Sequence, residues 1–133
     1  MLSNIKPYKN SDYPEVASWL FLSYKQIAPP SILLEEGTFI LELDNVPALS
    51  LTVLLTQTKD MSYIFNFIKN PKFKNNNLEE YGQQLWNHCF DYAKSKGYKQ
   101  IICFSENEKL TEKYQRFGMK KNLEHLTSFI KEL

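Results

Sequence analysis

The sequence predicts a single α/β domain built on a mixed central sheet. Three observations carry this prediction. Three consecutive β-rich runs between residues 38 and 68 are typical of an antiparallel meander, and a long amphipathic helix follows them. A buried strand, a short helix and a last strand then complete the chain, so helices and strands alternate in its second half. A chain of 133 residues is long enough to bury one hydrophobic core.

The N-terminal third predicts one strand and one helix. Residues 5–8 are a short extended candidate, and Ser11 offers a helix N-cap before apolar residues recur at helical spacing over 13–24. We expect Pro29-Pro30 to stop this helix. Residues 31–36 are compatible with a further short helical turn.

The meander is predicted from three β-rich runs and the turns between them. The run 38–43 partly alternates apolar and polar residues, and Asp44-Asn45 can form the tight turn that leads to the run 48–57. A third strand over 62–68 ends at Asn70-Pro71, because proline cannot donate to a sheet ladder. We therefore expect three consecutive antiparallel strands.

The second half predicts a long helix that begins near Asn77 and ends at Gly97. One face of this helix is apolar, with Leu78, Tyr81, Leu85, Cys89, Tyr92 and Ala93 at helical spacing. Residues 99–105 follow as a buried strand, 108–117 as a short helix, and a final strand is expected within 123–130. The element order is thus β-α-(α)-β-β-β-α-β-α-β.

Composition excludes several functions. The net charge is +1 and the aromatic residues follow core periodicity without interleaved arginine, so we expect no nucleic-acid partner. No apolar run reaches the length of a membrane span, and we expect a cytoplasmic protein in which Cys89 and Cys103 are reduced core thiols. Neither His88 nor His125 has a partner at ligand spacing, so no metal site is expected. A homodimer is compatible with the sequence.

A short motif and the element order together resemble a known family. Tyr114-Gln115-Arg116-Phe117-Gly118-Met119 is similar to the late Tyr-x-x-x-Gly-Phe signature of the GNAT acetyltransferase superfamily, with Met119 in place of Phe. The start of the chain, residues 5–8 and 11–16, resembles the family's first strand and the entry to its first helix. The segments 65–71 and 125–131 are similar to small GNAT-like proteins of bacterial and phage genomes. The resemblance implies one domain over 1–133 with six to seven strands and about four helices. It also implies that the strands 62–68 and 99–105 splay apart.

The resemblance implies an N-acyltransferase that takes an acetyl or similar group from acetyl-CoA to an amine. Tyr114 would be the general acid that protonates the coenzyme A thiolate, although a purely structural aromatic contact is the other interpretation. The pantetheine arm would lie along Asn66, Phe67 and Ile68, where a bulged strand offers backbone groups. Asn107 would hydrogen-bond the same arm or serve as an ordinary helix cap.

One departure from the family pattern concerns the phosphates of coenzyme A. The family binds them on a glycine-rich loop at the start of the long helix, but here only Gly82 remains and Glu79 and Glu80 stand nearby. Three lysines precede the helix and could hold a phosphate, or form a solvated basic loop: Lys69, Lys72 and Lys74. The departure leaves a second hypothesis open, a catalytically inactive GNAT-like interaction protein.

A general base is not singled out by the sequence. Four carboxylates could each reach a cleft, and nothing ranks them: Glu36, Glu42, Asp60 and Glu106. The acyl acceptor is equally open.

Overall fold

The computed structural model describes residues 1–27, 29–30, 33–105, 108–120 and 131. Five strands lie in this part of the chain: β1 (Ser3–Pro7), β2 (Thr38–Leu43), β3 (Val46–Leu55), β4 (Ser62–Lys69) and β5 (Ile101–Ile102). Three α-helices accompany them: α1 (Tyr13–Tyr24), α2 (Glu79–Ser95) and α3 (Glu108–Arg116). Two short 3-10 helices precede α1 and α2.

The strands form one sheet in the order β1-β2-β3-β4-β5. Neighbouring strands from β1 to β4 are antiparallel, whereas β5 is parallel to β4. The hairpin between β2 and β3 turns at Asp44 and Asn45, whose φ angles are +48° and +66°. Positive φ at both central residues is what a two-residue hairpin requires, and Asp and Asn tolerate it better than most residues. The predicted meander and mixed α/β fold are confirmed.

Helices cover both faces of the sheet. On one face α2 buries Leu85, Trp86 and Cys89 against β2 and β3. On the other face α1 buries Val16 and Trp19 in a second cluster. The sheet is therefore an inner layer, and its strands must carry apolar side chains on both sides.

Both α2 and α3 end in a Schellman motif, in which a glycine follows the helix in the left-handed conformation. After α2, Gly97 has φ +89° and the Tyr98 N–H reaches back to the Ala93 carbonyl at 3.1 Å. After α3, Gly118 has φ +102° and the Met119 N–H bonds the Tyr114 carbonyl at 3.1 Å. These bonds satisfy carbonyls that the helix leaves open, and they fix where each helix stops.

Several predicted boundaries were wrong. Helix α1 ends at Tyr24 with Lys25 in the left-handed conformation, before the Pro29-Pro30 pair that was expected to stop it. Strand β5 is two residues long, not seven, because its hydrogen bonding to β4 stops early. The described residues give five strands and three α-helices, fewer than the six to seven strands and about four helices expected, while the fold class holds.

The last predicted strand, 123–130, lies outside the described residues. Residues 35–37 form a turn, and the first two residues of the predicted helical turn at 31–36 are not described. Within the described ranges, no helix has the length and apolar character needed to cross a membrane.

Candidate functional site

A cleft opens where β4 and β5 separate. The two strands pair only at Ser62 with Ile101 and at Tyr63 with Ile102. Beyond these residues β4 continues to Lys69, whereas β5 ends at Ile102. The resulting cleft has a volume of about 810 Å³, which is in the range of small-molecule sites. The expected splay of this strand pair is confirmed.

A β-bulge shapes the wall of the cleft that β4 provides. Ser50 of β3 pairs with Ile68 and Thr52 pairs with Phe65, so the single residue between them on β3 faces two residues on β4, Asn66 and Phe67. Asn66 has φ +57°, a left-handed conformation that asparagine adopts more readily than most residues. The bulge bends β4 and leaves irregular backbone along the cleft.

The bulge also decides which way the end of β4 faces. Residues 64 and 68 of a regular strand would point to the same face of the sheet. Here Ile64 and Phe67 pack in the cluster under α2, whereas Ile68 packs in the cluster under α1. The extra residue therefore turns Phe67 toward α2 and turns Ile68 to the opposite face of the sheet.

Aromatic side chains form the floor of the cleft. The ring of Tyr114 on α3 lies 5.0 Å from the ring of Trp86 on α2, centroid to centroid, and Trp86 also contacts Phe67 and Phe117. Trp86 is 1% exposed, and its indole N–H finds no hydrogen-bond partner in the part of the chain that the structure describes. Both Tyr114 and Trp86 line the cleft.

Positive charge is concentrated on the cleft wall. Its charged lining residues in the described ranges are four cations and one carboxylate: Lys69, Lys109, Lys113, Arg116 and Glu79. Burial lowers the pKa of Lys113, the attraction of Glu79 opposes this, and Lys69, Arg116 and Lys109 lower the pKa further by repulsion. A site with this charge favours an anionic ligand.

The N-terminus of α2 lies at the same cleft and is organised by side chains. Asn77 Oδ1 accepts the Glu79 N–H at 3.1 Å, and Glu79 Oε1 accepts a hydrogen bond from Arg116 Nε at 2.5 Å. Across the cleft, Lys69 Nζ donates to the Asn76 carbonyl at 2.9 Å. The loop before α2 is thus tied to β4, and the first turn of α2 is tied to α3.

Solved structures of acetyltransferases share this architecture. An aminoglycoside acetyltransferase from an uncultured soil metagenomic sample is 14% identical with a TM-score of 0.70, over 98% of this chain and 96% of that one. Glucosamine-6-phosphate N-acetyltransferase from Arabidopsis thaliana is 14% identical with a TM-score of 0.70, over 98% and 100% of the two chains. N-acetylglutamate synthase from Neisseria gonorrhoeae, complexed with coenzyme A and N-acetyl-glutamate, is 19% identical with a TM-score of 0.72, over 87% of this chain and 28% of that one.

The chain has the GNAT fold. The structural neighbours confirm at the level of fold the family resemblance seen in the sequence. The sequence matches no protein-family model, and no curated protein matches it significantly.

Four of the residues predicted for a GNAT site lie together at the cleft. Asn66, Phe67 and Ile68 line it from β4, and Tyr114 lines it from α3. Their proposed roles stay predictions. The prediction for Asn107, and that for Glu106, falls outside the described residues.

Of the other residues considered for ligand binding, Lys69 lines the cleft, whereas Gly82, Lys72 and Lys74 are outside its lining. Gly82 is buried in the first turn of α2, where an added Cβ would lie 3.2 Å from the rings of both Phe67 and Phe117. Its lack of a side chain therefore serves close packing beneath the cleft. Lys72 and Lys74 are exposed and do not line the cleft.

The three described carboxylates that were considered as general bases are outside the cleft lining. Glu42 on β2 pairs with Lys6 at 3.5 Å, and Asp60 pairs with Lys99 at 3.8 Å. Glu36 is exposed in the turn before β2. Over the described ranges, no three His, Cys, Asp or Glu side chains are grouped closely enough to hold a metal ion.

Sequence reasoning missed the cations of α3. Lys109, Lys113 and Arg116 are spaced i, i+4 and i+7, which places them on one helix face. This basic stripe flanks Tyr114 and could have been found by applying helical periodicity to charge as well as to apolar residues. Their meeting with Lys69 of β4 depends on tertiary structure.

Proposed function

We propose that the chain is an N-acyltransferase that moves an acetyl or similar acyl group from a coenzyme A thioester to an amine. The observation that carries this proposal is Tyr114, held on Trp86 in a cleft between splayed strands whose wall carries excess positive charge. Neighbours with this fold are acetyltransferases, and one of them is complexed with coenzyme A. A fold alone does not specify activity, so the site must support it.

The bulged end of β4 is suited to an extended ligand that carries amides. Among described residues, β5 pairs with β4 only at Ser62 and Tyr63, so the backbone from Ile64 onward faces the cleft. The pantetheine arm has two amide groups that can bond such backbone in the manner of an added strand. A carbonyl in the cleft would also give the buried N–H of Trp86 an acceptor, whose lack costs about 1–3 kcal/mol.

The role proposed for Tyr114 is that of general acid. The amine nitrogen attacks the thioester carbonyl carbon, the C–S bond breaks, and the phenol donates its proton to the departing sulfur. The amine loses its proton to solvent or to a base that the described residues do not identify. A phenol fits this task because its ordinary pKa of about 10 lies close to that of a thiol.

The charge of the cleft argues against the inactive alternative. That alternative rested on Glu79 and Glu80 at the start of α2. Glu79 is paired with Arg116, and Glu80 is exposed and outside the cleft lining, so the wall keeps an excess of cations. The neighbours carry different acceptors in their names, including an aminoglycoside and glucosamine-6-phosphate, and the fold does not choose among amines. We also propose a cytoplasmic location, supported by two free cysteines.

The proposal is tested by binding and by turnover. Calorimetry with acetyl-CoA should give saturable binding in the micromolar range, and release of free thiol should report transfer to a panel of amines. Tyr114→Phe should lower kcat by about 10²–10⁴-fold with little change in KM. The matched control is Tyr81→Phe, because Tyr81 is outside the cleft lining and its hydroxyl contacts the Met1 carbonyl.

Two outcomes count against the proposal. If the folded parent binds no coenzyme A at millimolar concentration, the chain is not an acyl-CoA enzyme. If Tyr114→Phe and Tyr81→Phe both keep the kcat of the parent, Tyr114 has a packing role and the general acid lies elsewhere.

A further inference from the structure

One helix face supplies most of the positive charge in the cleft. Lys109, Lys113 and Arg116 all lie on α3 and line the cleft, and Lys69 lines it from β4. The whole chain has a net charge of only +1, so this grouping is a local feature of the site. Cations that folding brings close together repel one another, and a bound anion offsets this repulsion.

Lys113 is a partly desolvated cation of the cleft wall. Its Nζ lies 5.1 Å from the centre of the Phe67 ring, and no carboxylate of the described residues forms an ion pair with it. Burial and the neighbouring cations lower its pKa, which means that its charged form is disfavoured in the free protein. A bound anion would remove this penalty.

Arg116 already has an anionic partner inside the protein. Its Nε donates to Glu79 Oε1 at 2.5 Å, and the two side chains are 56% and 42% exposed. An exposed pair of this kind contributes little to stability and exchanges easily. Glu79 also lies in the first turn of α2, where the helix dipole favours negative charge. The carboxylate thus stands where an incoming phosphate would be attracted.

We propose that Lys113 and Arg116 bind the phosphates of the acyl donor, together with Lys69 from the other side of the cleft. Glu79 is then an internal counter-ion of Arg116, and the ion pair between them breaks when the phosphates bind. Side chains of α3 replace the backbone amides that a glycine-rich loop would offer. Arginine can bind phosphate through two parallel hydrogen bonds, whereas Arg116 bonds Glu79 through its Nε. This inference rests on the proposed function for the identity of the donor.

The first experiment compares ligands with and without phosphate. Coenzyme A, 4′-phosphopantetheine and pantetheine are titrated by calorimetry into the parent, Lys113→Met, Arg116→Gln and the control Lys94→Gln, whose lysine is exposed at the far end of α2. Each α3 variant should weaken coenzyme A by about tenfold or more and leave pantetheine unchanged. The control should change neither. The titration with 4′-phosphopantetheine shows whether the α3 cations need only one phosphate group for binding or the whole pyrophosphate.

The second experiment removes the internal competitor. Glu79→Gln should tighten coenzyme A by about fivefold and leave pantetheine unchanged, because one repulsive charge near the phosphates is gone. Affinity for coenzyme A in the parent should also fall as salt is added. If Lys72→Gln or Lys74→Gln weakens coenzyme A while Lys113→Met and Arg116→Gln do not, the phosphates lie on the loop before α2 and the inference is wrong.

Inorganic pyrophosphate separates this inference from the proposed function. Its titration is followed by NMR at the Arg116 Nε–H, which should move in the parent and more strongly in Glu79→Gln. If pyrophosphate binds there and coenzyme A does not, the anion site stands and the acyltransferase proposal fails. If pyrophosphate leaves the Arg116 resonance unmoved in both proteins, the anion site is refuted even where coenzyme A binds.

Discussion

The bulge at Asn66 gives a quantitative test of how the cleft is built. Asn66 has φ +57° in the middle of β4, and the replacement pair Asn66→Val and Asn66→Gly isolates this backbone conformation. Both variants lose every side-chain interaction of the asparagine. They differ in that glycine adopts positive φ freely, whereas a β-branched residue is a strong outlier there.

The expected difference in stability follows from two opposing terms. A left-handed conformation costs an ordinary residue about 1–2 kcal/mol, with valine near the upper end. Glycine loses more chain entropy on folding, which costs it about 0.5–1 kcal/mol. The valine variant should therefore be less stable than the glycine variant by about 1 kcal/mol, or about 3–5 °C in Tm for a chain of this size.

The strand cannot relieve this strain by losing the bulge. A regular β4 would turn Phe67 toward α1 and Ile68 toward α2, exchanging residues between two filled clusters. Urea unfolding of both variants, with circular dichroism to confirm the native fold, measures the difference. Equal stability of Asn66→Val and Asn66→Gly would refute the reasoning, because the left-handed conformation would then impose no constraint.

Two further predictions concern titrating groups at the cleft. The folded pKa of Lys113 is lowered by burial, so its charge penalises folding at neutral pH and the penalty disappears as pH rises toward the unfolded value near 10.5. Lys113→Met should thus be more stable than the parent at pH 7, and urea unfolding should show the gain shrinking by pH 10; a gain that is constant with pH would contradict this. Burial raises the pKa of the Cys103 thiol to about 11, so its alkylation rate, read by mass spectrometry, should still climb about tenfold from pH 9 to pH 10. An alkylation rate that stops rising by pH 9 would show that Cys103 has an ordinary thiol pKa. Because Cys103 lines the cleft, bound pantetheine should protect it from alkylation. The fully buried Cys89 should stay unmodified with or without pantetheine.

Local signals in the sequence determined the elements that depend on neighbouring residues. The apolar face of α2, the hairpin turn at Asp44 and the glycine that ends each of α2 and α3 all act over a few positions, so periodicity and capping rules found them. The Tyr-x-x-x-Gly-Met motif is one such signal. In the structure its tyrosine carbonyl and Met119 N–H close the Schellman motif of α3, so the motif specifies a helix end as well as the position of a phenol.

Register between strands was beyond these local rules. The bulge at Asn66 exists because Ile64 and Phe67 must face one cluster while Ile68 faces the other. That requirement comes from helices on opposite sides of the sheet, far from β4 in sequence. The short pairing of β5 with β4 was also beyond them, because no periodicity within 99–105 encodes a separation after two residues.

The sequence predicted some of the residues at the cleft, and the tertiary structure revealed the others. The sequence by itself determined the GNAT element order, the segment Asn66 to Ile68 and Tyr114, because a strand and a capped helix place these residues locally. Only the tertiary structure decided that Gly82 packs closely against two aromatic rings and that most of the positive charge lining the cleft comes from α3. Gly82 meets Phe67 and Phe117, and Glu79 meets Arg116, across 37 residues of chain in the latter pair. Such contacts arise from the docking of α3 on α2, which depends on the shape of the whole core.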